Sequence, residues 1–140
     1  STQVLDAIRG IEAQGGRAFG LTLKGGRGFI LTAKNPGQVL GLTGDDGSEA
    51  LRSLDVSVLH RVIFEQLLGM QGTDNLIYTR NAEEAPRLVE EGAGAAFMMN
   101  PPTVGDMRTI ALGGEKMPQK STYYFPKILS GLVLWSLNDF

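Results

Sequence analysis

Phe19-Gly20-Leu21-Thr22-Leu23-Lys24-Gly25-Gly26-Arg27-Gly28-Phe29-Ile30-Leu31-Thr32-Ala33 holds two apolar runs around a glycine-rich connection. That order predicts a β-hairpin, because glycine enters positive φ without the Cβ clash that burdens other residues. Upstream, Val4, Leu5, Ile8 and Ile11 recur at helical spacing and Gly15-Gly16 ends the run, so a helix precedes the hairpin. Downstream, residues 34–50 carry Asn35-Pro36-Gly37, Gly41 and Gly44-Asp45-Asp46-Gly47. This composition reads as a long loop with room for a short strand at 39–42.

From Leu54 the pattern is helical, with Leu59, Ile63 and Leu67 down one side and Gly69 as the stop. Ile77-Tyr78-Thr79 has the makings of a short strand. Asn81-Ala82-Glu83-Glu84 reads as a capping box opening a helix through Leu88 and Val89 to Gly92. Pro86 is tolerated there only near the start, where backbone N–H groups still lack partners. Ala95-Ala96-Phe97-Met98-Met99 is a buried-type strand closed by Asn100-Pro101-Pro102. Thr103-Val104-Gly105-Asp106 is a second box, opening a helix through Met107, Ile110 and Leu112 to Gly113-Gly114. Strand, helix and strand from 77 to 99 suggest a right-handed parallel crossover. Two further strands are expected near 122–125 and 132–137. The sum is one α/β or α+β domain over residues 1–140, with a mixed sheet (hairpin plus βαβ unit), about four helices and one core.

The chain has 140 residues, 42% hydrophobic and 20% charged, which is globular composition. A net charge of −2 lacks the cationic excess of a general nucleic-acid binder, so none is expected as a partner. The absence of cysteine removes disulfides, cysteine zinc sites and cysteine nucleophiles. No apolar run reaches the roughly 20 residues that span a bilayer, and no signal-like segment opens the chain. The expectation is a cytoplasmic protein with no membrane partner. The start at Ser1 suggests a piece of a longer polypeptide.

Chemistry concentrates between Gly113 and Lys127. Lys116, Lys120 and Lys127 lie there with the Ser121 and Thr122 hydroxyls and three consecutive aromatics, and no acid follows Glu115 until Asp139. Residues 114–121 approach the phosphate loop G-x-x-x-x-G-K-[ST], but Gln119 occupies the second glycine position. The backbone must curl there so that successive N–H groups face phosphate, between a strand and a helix. Here a helix precedes and no helix start follows, so the motif is rejected. The five residues Lys116, Lys120, Ser121, Thr122 and Lys127 remain an anion-pocket candidate, since lysine is an effective point charge for phosphate or carboxylate. On a strand, Lys120, Thr122 and Tyr124 would share one face, so only part of the set can converge. The bland counterpart is a solvated edge strand whose lysines deter aggregation.

His60 and Tyr124 are secondary candidates. His60 has Ser57 and Phe64 as helical neighbours, with Asp55 off to the side, which does not make a catalytic triad. No residue is assigned a catalytic role. One histidine without cysteine supports no metal site, and Asp45-Asp46 lacks calcium-loop spacing. No cofactor is expected.

Leu54-Asp-Val-Ser-Val-Leu-His60-Arg61, Ala96-Phe-Met-Met-Asn-Pro101, Glu115-Lys-Met-Pro-Gln-Lys-Ser-Thr-Tyr-Tyr-Phe-Pro-Lys127 and Ser130-Gly-Leu-Val133 resemble a known family. They are similar to the C-terminal part of a prokaryotic family of uncharacterised proteins, domain-of-unknown-function family 1015. The resemblance covers the chain from about residue 50 onward. In such proteins an upstream region carries an Asp-Gly-His-His-Arg element, similar to one in partition-protein-like free-serine kinases, and this chain has no His-His pair. The resemblance therefore implies a C-terminal domain without its own catalytic centre. Three functions follow as expectations: a module that binds an anionic small molecule or docks within its parent polypeptide, an accessory part of a phosphotransferase site, or a purely structural domain. The expected partners are the rest of the parent chain, a phosphate- or carboxylate-bearing molecule, and a second copy of the chain.

Overall fold

A computed structural model describes residues 2–123. Tyr124, Lys127 and the strand expected at 132–137 lie outside the described residues. Helix α1 (Thr2–Ala13) leads into β1 (Ala18–Leu23) and β2 (Arg27–Thr32). These strands pair antiparallel from Ala18 opposite Thr32 to Leu23 opposite Arg27, leaving Lys24, Gly25 and Gly26 as the connection. Gly25 and Gly26 sit at φ 79° and 69°, as the sequence requires of them.

α2 (Pro36–Gly41), α3 (Glu49–Arg52) and α4 (Asp55–Val58) follow, and α4 runs on into a π-helical segment, Leu59–Leu67. α5 (Glu84–Glu91), β3 (Ala95–Met98) and α6 (Val104–Leu112) complete the described elements. β3 pairs antiparallel with the other edge of β1, Gly20 opposite Met98 and Leu23 opposite Ala95, giving the order β2-β1-β3. The expected α+β class holds. The four expected helices correspond to α1, α4 with its π-helical continuation, α5 and α6.

Three local expectations change. Residues 39–42 form no strand; α2 occupies that stretch, because Asn35 Oδ1 accepts the Gln38 N–H at 3.2 Å and Pro36 pre-sets the first turn. Residues 77–79 also form no strand, and Ile77 and Tyr78 are 70% and 45% exposed. No strand at 77–79 pairs with β3, which stands at a sheet edge, so the parallel crossover from 77–79 is absent. β2 and β3 are each antiparallel to β1 and hence parallel to one another, so the βαβ relation exists in split form and begins at β2. The box at Asn81 is not reciprocal: Asn81 Oδ1 accepts the Glu83 N–H at 3.0 Å, while the Glu84 carboxylate accepts from Thr79 Oγ1. The Thr103 box forms in full, with Asp106 N–H to Thr103 Oγ1 at 3.1 Å and Thr103 N–H to Asp106 Oδ2 at 2.7 Å.

β1 is buried because both sheet faces are covered. On one, Gly20 comes so close to α1 that an added Cβ would meet Val4 Cγ1 at 2.4 Å. On the other, Phe19 joins Val58, Leu59, Val62 and Phe64 in the main core, and Phe97 meets the Phe64 ring edge-on at 5.2 Å. A second cluster, Leu54, Val56 and Ile110, fastens α6 beneath the α3–α4 bend. Met99 packs on both clusters and joins them. Glu90 Oε1 accepts the Gly25 and Gly26 N–H groups at 2.7 and 3.2 Å, tying α5 to the hairpin turn.

Candidate functional site

α6 stops at Gly113-Gly114, with Gly114 at φ 75°. Glu115 then turns back, and its Oε1 accepts the Ser48 N–H at 2.7 Å. Bonds from the Ser48 hydroxyl and N–H hold the Glu115 carboxyl below the usual carboxylate range. Ser48 is itself the N-cap of α3, its Oγ accepting the Leu51 N–H at 3.2 Å. Two residues on, Met117 packs against the Leu54–Val56–Ile110 cluster. The lysine segment is therefore fastened at two points before it reaches Lys120.

Pro118 to Ser121 is a tight turn, with the Ser121 N–H and Oγ donating to the Pro118 carbonyl at 3.3 and 2.6 Å. Lys120 holds φ 61° in this turn, the one non-glycine in the left-handed region among the described residues. That conformation disfavours a side chain with a Cβ. The tether at Glu115 and the buried Ser121 maintain it.

The turn forms one wall of a cleft of about 700 Å³. Arg52, Arg61, Lys116 and Lys120 line it, against the carboxylates Asp46 and Glu65. The arginines are engaged: Arg61 Nη2 lies 3.2 Å from Asp46 Oδ2, and Arg52 Nη1 donates to the Gly44 carbonyl and lies 3.7 Å from Asp45 Oδ1. Lys116 and Lys120 have no ion-pair partner among the described residues. Asp45 and Asp46 thus pair with the two arginines.

His60 lies on the same cleft, at the start of the π-helical segment. Its ring centroid is 5.3 Å from Phe64, the neighbour that helical spacing predicts. It is also 6.3 Å from Tyr78, with the planes 13° from parallel. Burial lowers the imidazole pKa and Glu65 pulls the other way, so the site favours the uncharged ring. The π-helical register places residues five apart on one side, and the Leu68 N–H to Ile63 carbonyl bond at 3.0 Å has that spacing.

Of the expected anion set, Lys116 and Lys120 come together on the cleft with His60. The Ser121 hydroxyl is spent on Pro118, and Ser121 and Thr122 do not line the cleft. Lys127 and Tyr124 lie outside the described residues. Ser57 Oγ donates to the Leu51 carbonyl at 2.7 Å, which takes it away from any triad geometry. Arg52, Arg61 and Tyr78 escaped the sequence reading. For the two arginines the signal is the aspartate pair of the glycine loop, and sequence spacing does not reveal such a pairing; Tyr78 meets the cleft through His60.

No group of three or more His, Asp or Glu side chains among the described residues is placed to hold a metal ion. No helix among them is long and apolar enough to cross a membrane. Comparison with protein-family models, curated proteins and solved structures finds no match to this chain.

Proposed function

We propose that the cleft bounded by the Pro118–Ser121 turn binds a small anionic molecule bearing phosphate or carboxylate. The supporting observation is the pair Lys116 and Lys120: two lysines on one cleft, without ion-pair partners among the described residues, on a segment fixed by Glu115 and Met117. Preorganised cations attract an anion at less entropic cost than mobile surface lysines do. In this reading the domain is the C-terminal part of a longer protein of the family it resembles, lending these lysines to that protein's ligand site.

A second reading is favoured by the near-parallel His60 and Tyr78 rings on the cleft wall. An anion that also carries a planar ring, as a nucleotide does, could stack there, and the domain would then be an accessory part of a phosphotransferase site. Aromatic stacking contributes about 0.5–1.5 kcal/mol beyond area burial.

Thermal unfolding against phosphate, simple carboxylates, phosphate esters and nucleotides separates the readings. A ligand at a hundred times its dissociation constant stabilises the fold by about 2.7 kcal/mol. An anion-dependent rise in Tm that is lost in Lys120→Gln supports the cleft. An equal rise in that variant overturns it. Ligand-independent stability leaves docking or a purely structural role.

A further inference from the structure

Strand β2 is exposed at every position but Leu31, although its neighbour β1 is mostly buried. Among the described residues nothing pairs with its outer edge, since the sheet order is β2-β1-β3. Phe29 is 47% exposed and Ile30 38%, and strand alternation puts these two on opposite faces of the sheet. The rim is therefore apolar above and below.

Edge strands usually carry a device against pairing, such as a proline, a bulge or an inward charge. Residues 27–32 hold no proline and a single charge, Arg27 at the start. Their register against β1 runs unbroken from Ala18 opposite Thr32 to Leu23 opposite Arg27. Such an edge is open to strand addition.

The ladder defines which backbone groups are on offer. The Ala33 N–H donates to the Arg17 carbonyl, directly opposite in register, at 2.9 Å. Antiparallel pairs alternate, so the odd-numbered residues of β2 bond to β1. Gly28, Ile30 and Thr32 point their N–H and C=O groups outward.

A second β2, run antiparallel with Ile30 on a two-fold axis, uses all of these groups. Gly28 pairs with the partner's Thr32, Ile30 with the partner's Ile30, and each pair exchanges two hydrogen bonds. Phe29 meets the partner's Leu31, and Arg27 meets the partner's Ala33, so apolar groups match and no like charges oppose each other. The same register carries the partner's Lys34 beside Gly26, at the turn where Glu90 Oε1 accepts the Gly25 and Gly26 N–H groups. Lys34 and Glu90 are both exposed, and neither has an ion-pair partner among the described residues. The symmetric contact joins them twice.

Other registers fit less well. A slip of two residues one way sets Leu31 against the partner's Arg27 and Lys34 beside the partner's Lys24. The opposite slip sets Phe29 against the partner's Ala33 and shortens the pairing. A slip of one residue faces outward groups with inward ones and leaves them unbonded.

We propose that two copies of this chain associate through β2, merging their three-stranded sheets about a two-fold axis at Ile30. No residue of β2 lines the lysine cleft, so this contact and the anion site can each fail alone.

Sedimentation velocity of the 140-residue chain tests the association. It shows a concentration-dependent monomer–dimer equilibrium with a dissociation constant on the order of micromolar, as suits a contact at the small end of specific interfaces. Ile30→Pro removes an outward N–H and no bond to β1, so the variant folds while its dimer weakens by about tenfold or more. The chain has no cysteine, so introduced thiols report the register without background. Under mild oxidation Ile30→Cys forms a disulfide-linked dimer, because bonded cross-strand pairs hold their Cα atoms about 5.5 Å apart. Thr32→Cys does not, since its counterpart lies four positions along the partner strand. A monomer at every concentration, whether the edge stays open or another segment covers it, overturns the proposal. So does a dimer that Ile30→Pro leaves unchanged, or equal crosslinking of the two cysteine variants. Should Ile30→Pro not fold, the crosslinking comparison still decides.

Discussion

Lys120 carries its charge on a backbone conformation that glycine would hold more comfortably. With φ at 61°, replacement by glycine relieves about 1 kcal/mol of strain, and Lys120→Gly raises stability by that order in denaturant unfolding. Lys120→Gln keeps the strain, leaves stability within about 0.5 kcal/mol, and removes the charge. On the proposed reading of the cleft both variants lose anion binding; only one gains stability. Asp55 makes the second residue-level case. Burial pushes its carboxyl up to about 6 against the opposing pull of Arg17, so the native state holds a proton that the unfolded chain, near 3.8, releases. That contribution to stability is complete below pH 4 and is lost as pH rises toward 6, amounting to about 3 kcal/mol at most. Asp55→Asn flattens the stability profile across that window; a wild-type profile already flat there contradicts the assignment. His60 has the opposite sign. Its lowered pKa favours the fold above the ordinary histidine value and costs stability as pH falls through the native midpoint, and its NMR titration midpoint lies below 6.5.

At the scale of elements, caps and close approaches decide what forms. Thr103→Ala removes a complete reciprocal box and costs about 1 kcal/mol, measured by denaturant unfolding. The sequence showed that box and the one at Asn81 with equal clarity. Only the first forms, because Thr79 competes for the Glu84 carboxylate and the helix begins at Glu84 rather than after Asn81. Gly20 matters for a different reason. Its backbone angles suit any residue, yet a Cβ there would meet Val4 Cγ1 at 2.4 Å and Met98 Cβ at 3.2 Å. Valine is branched at Cβ, so its Cγ1 methyl cannot swing away cheaply. Gly20→Ala therefore destabilises by about 1–3 kcal/mol, through overpacking between α1 and the sheet. Nothing in the Phe-Gly-Leu pattern announces that contact.

Across the whole molecule, the candidate site depends on long-range tethers. Glu115→Ala keeps both cleft-lining lysines but frees the segment from Ser48, so an anion bound as proposed would have to order it. The expected loss is roughly two- to tenfold in affinity, the cost of immobilising a few side chains, read from the ligand dependence of Tm. Sheet order is also decided at this scale. Phe19–Leu23 and Arg27–Thr32 declare a hairpin locally, while β3 pairs with β1 across roughly 75 residues of chain, with Phe97 and Met99 packed on the main core.

The amino-acid sequence by itself determined the elements that depend on neighbours in the chain. These are α1 with its glycine stop, the hairpin with Gly25 and Gly26 at positive φ, the Thr103 box, and the basic character of residues 116–127. Helical spacing, φ tolerance and capping act within a few residues, so the chain displays them directly. The tertiary structure alone decided that residues 77–79 stay out of the sheet, that β2 and β3 flank β1, and that the helix after Val58 widens into π register. It also decided which polar groups meet: Arg17 with Asp55 across 38 residues, Arg61 with Asp46, and the Glu115 carboxylate with the Ser48 N–H across 67. Such pairings follow from how the two hydrophobic clusters bring distant segments together, and no periodicity in the chain records them.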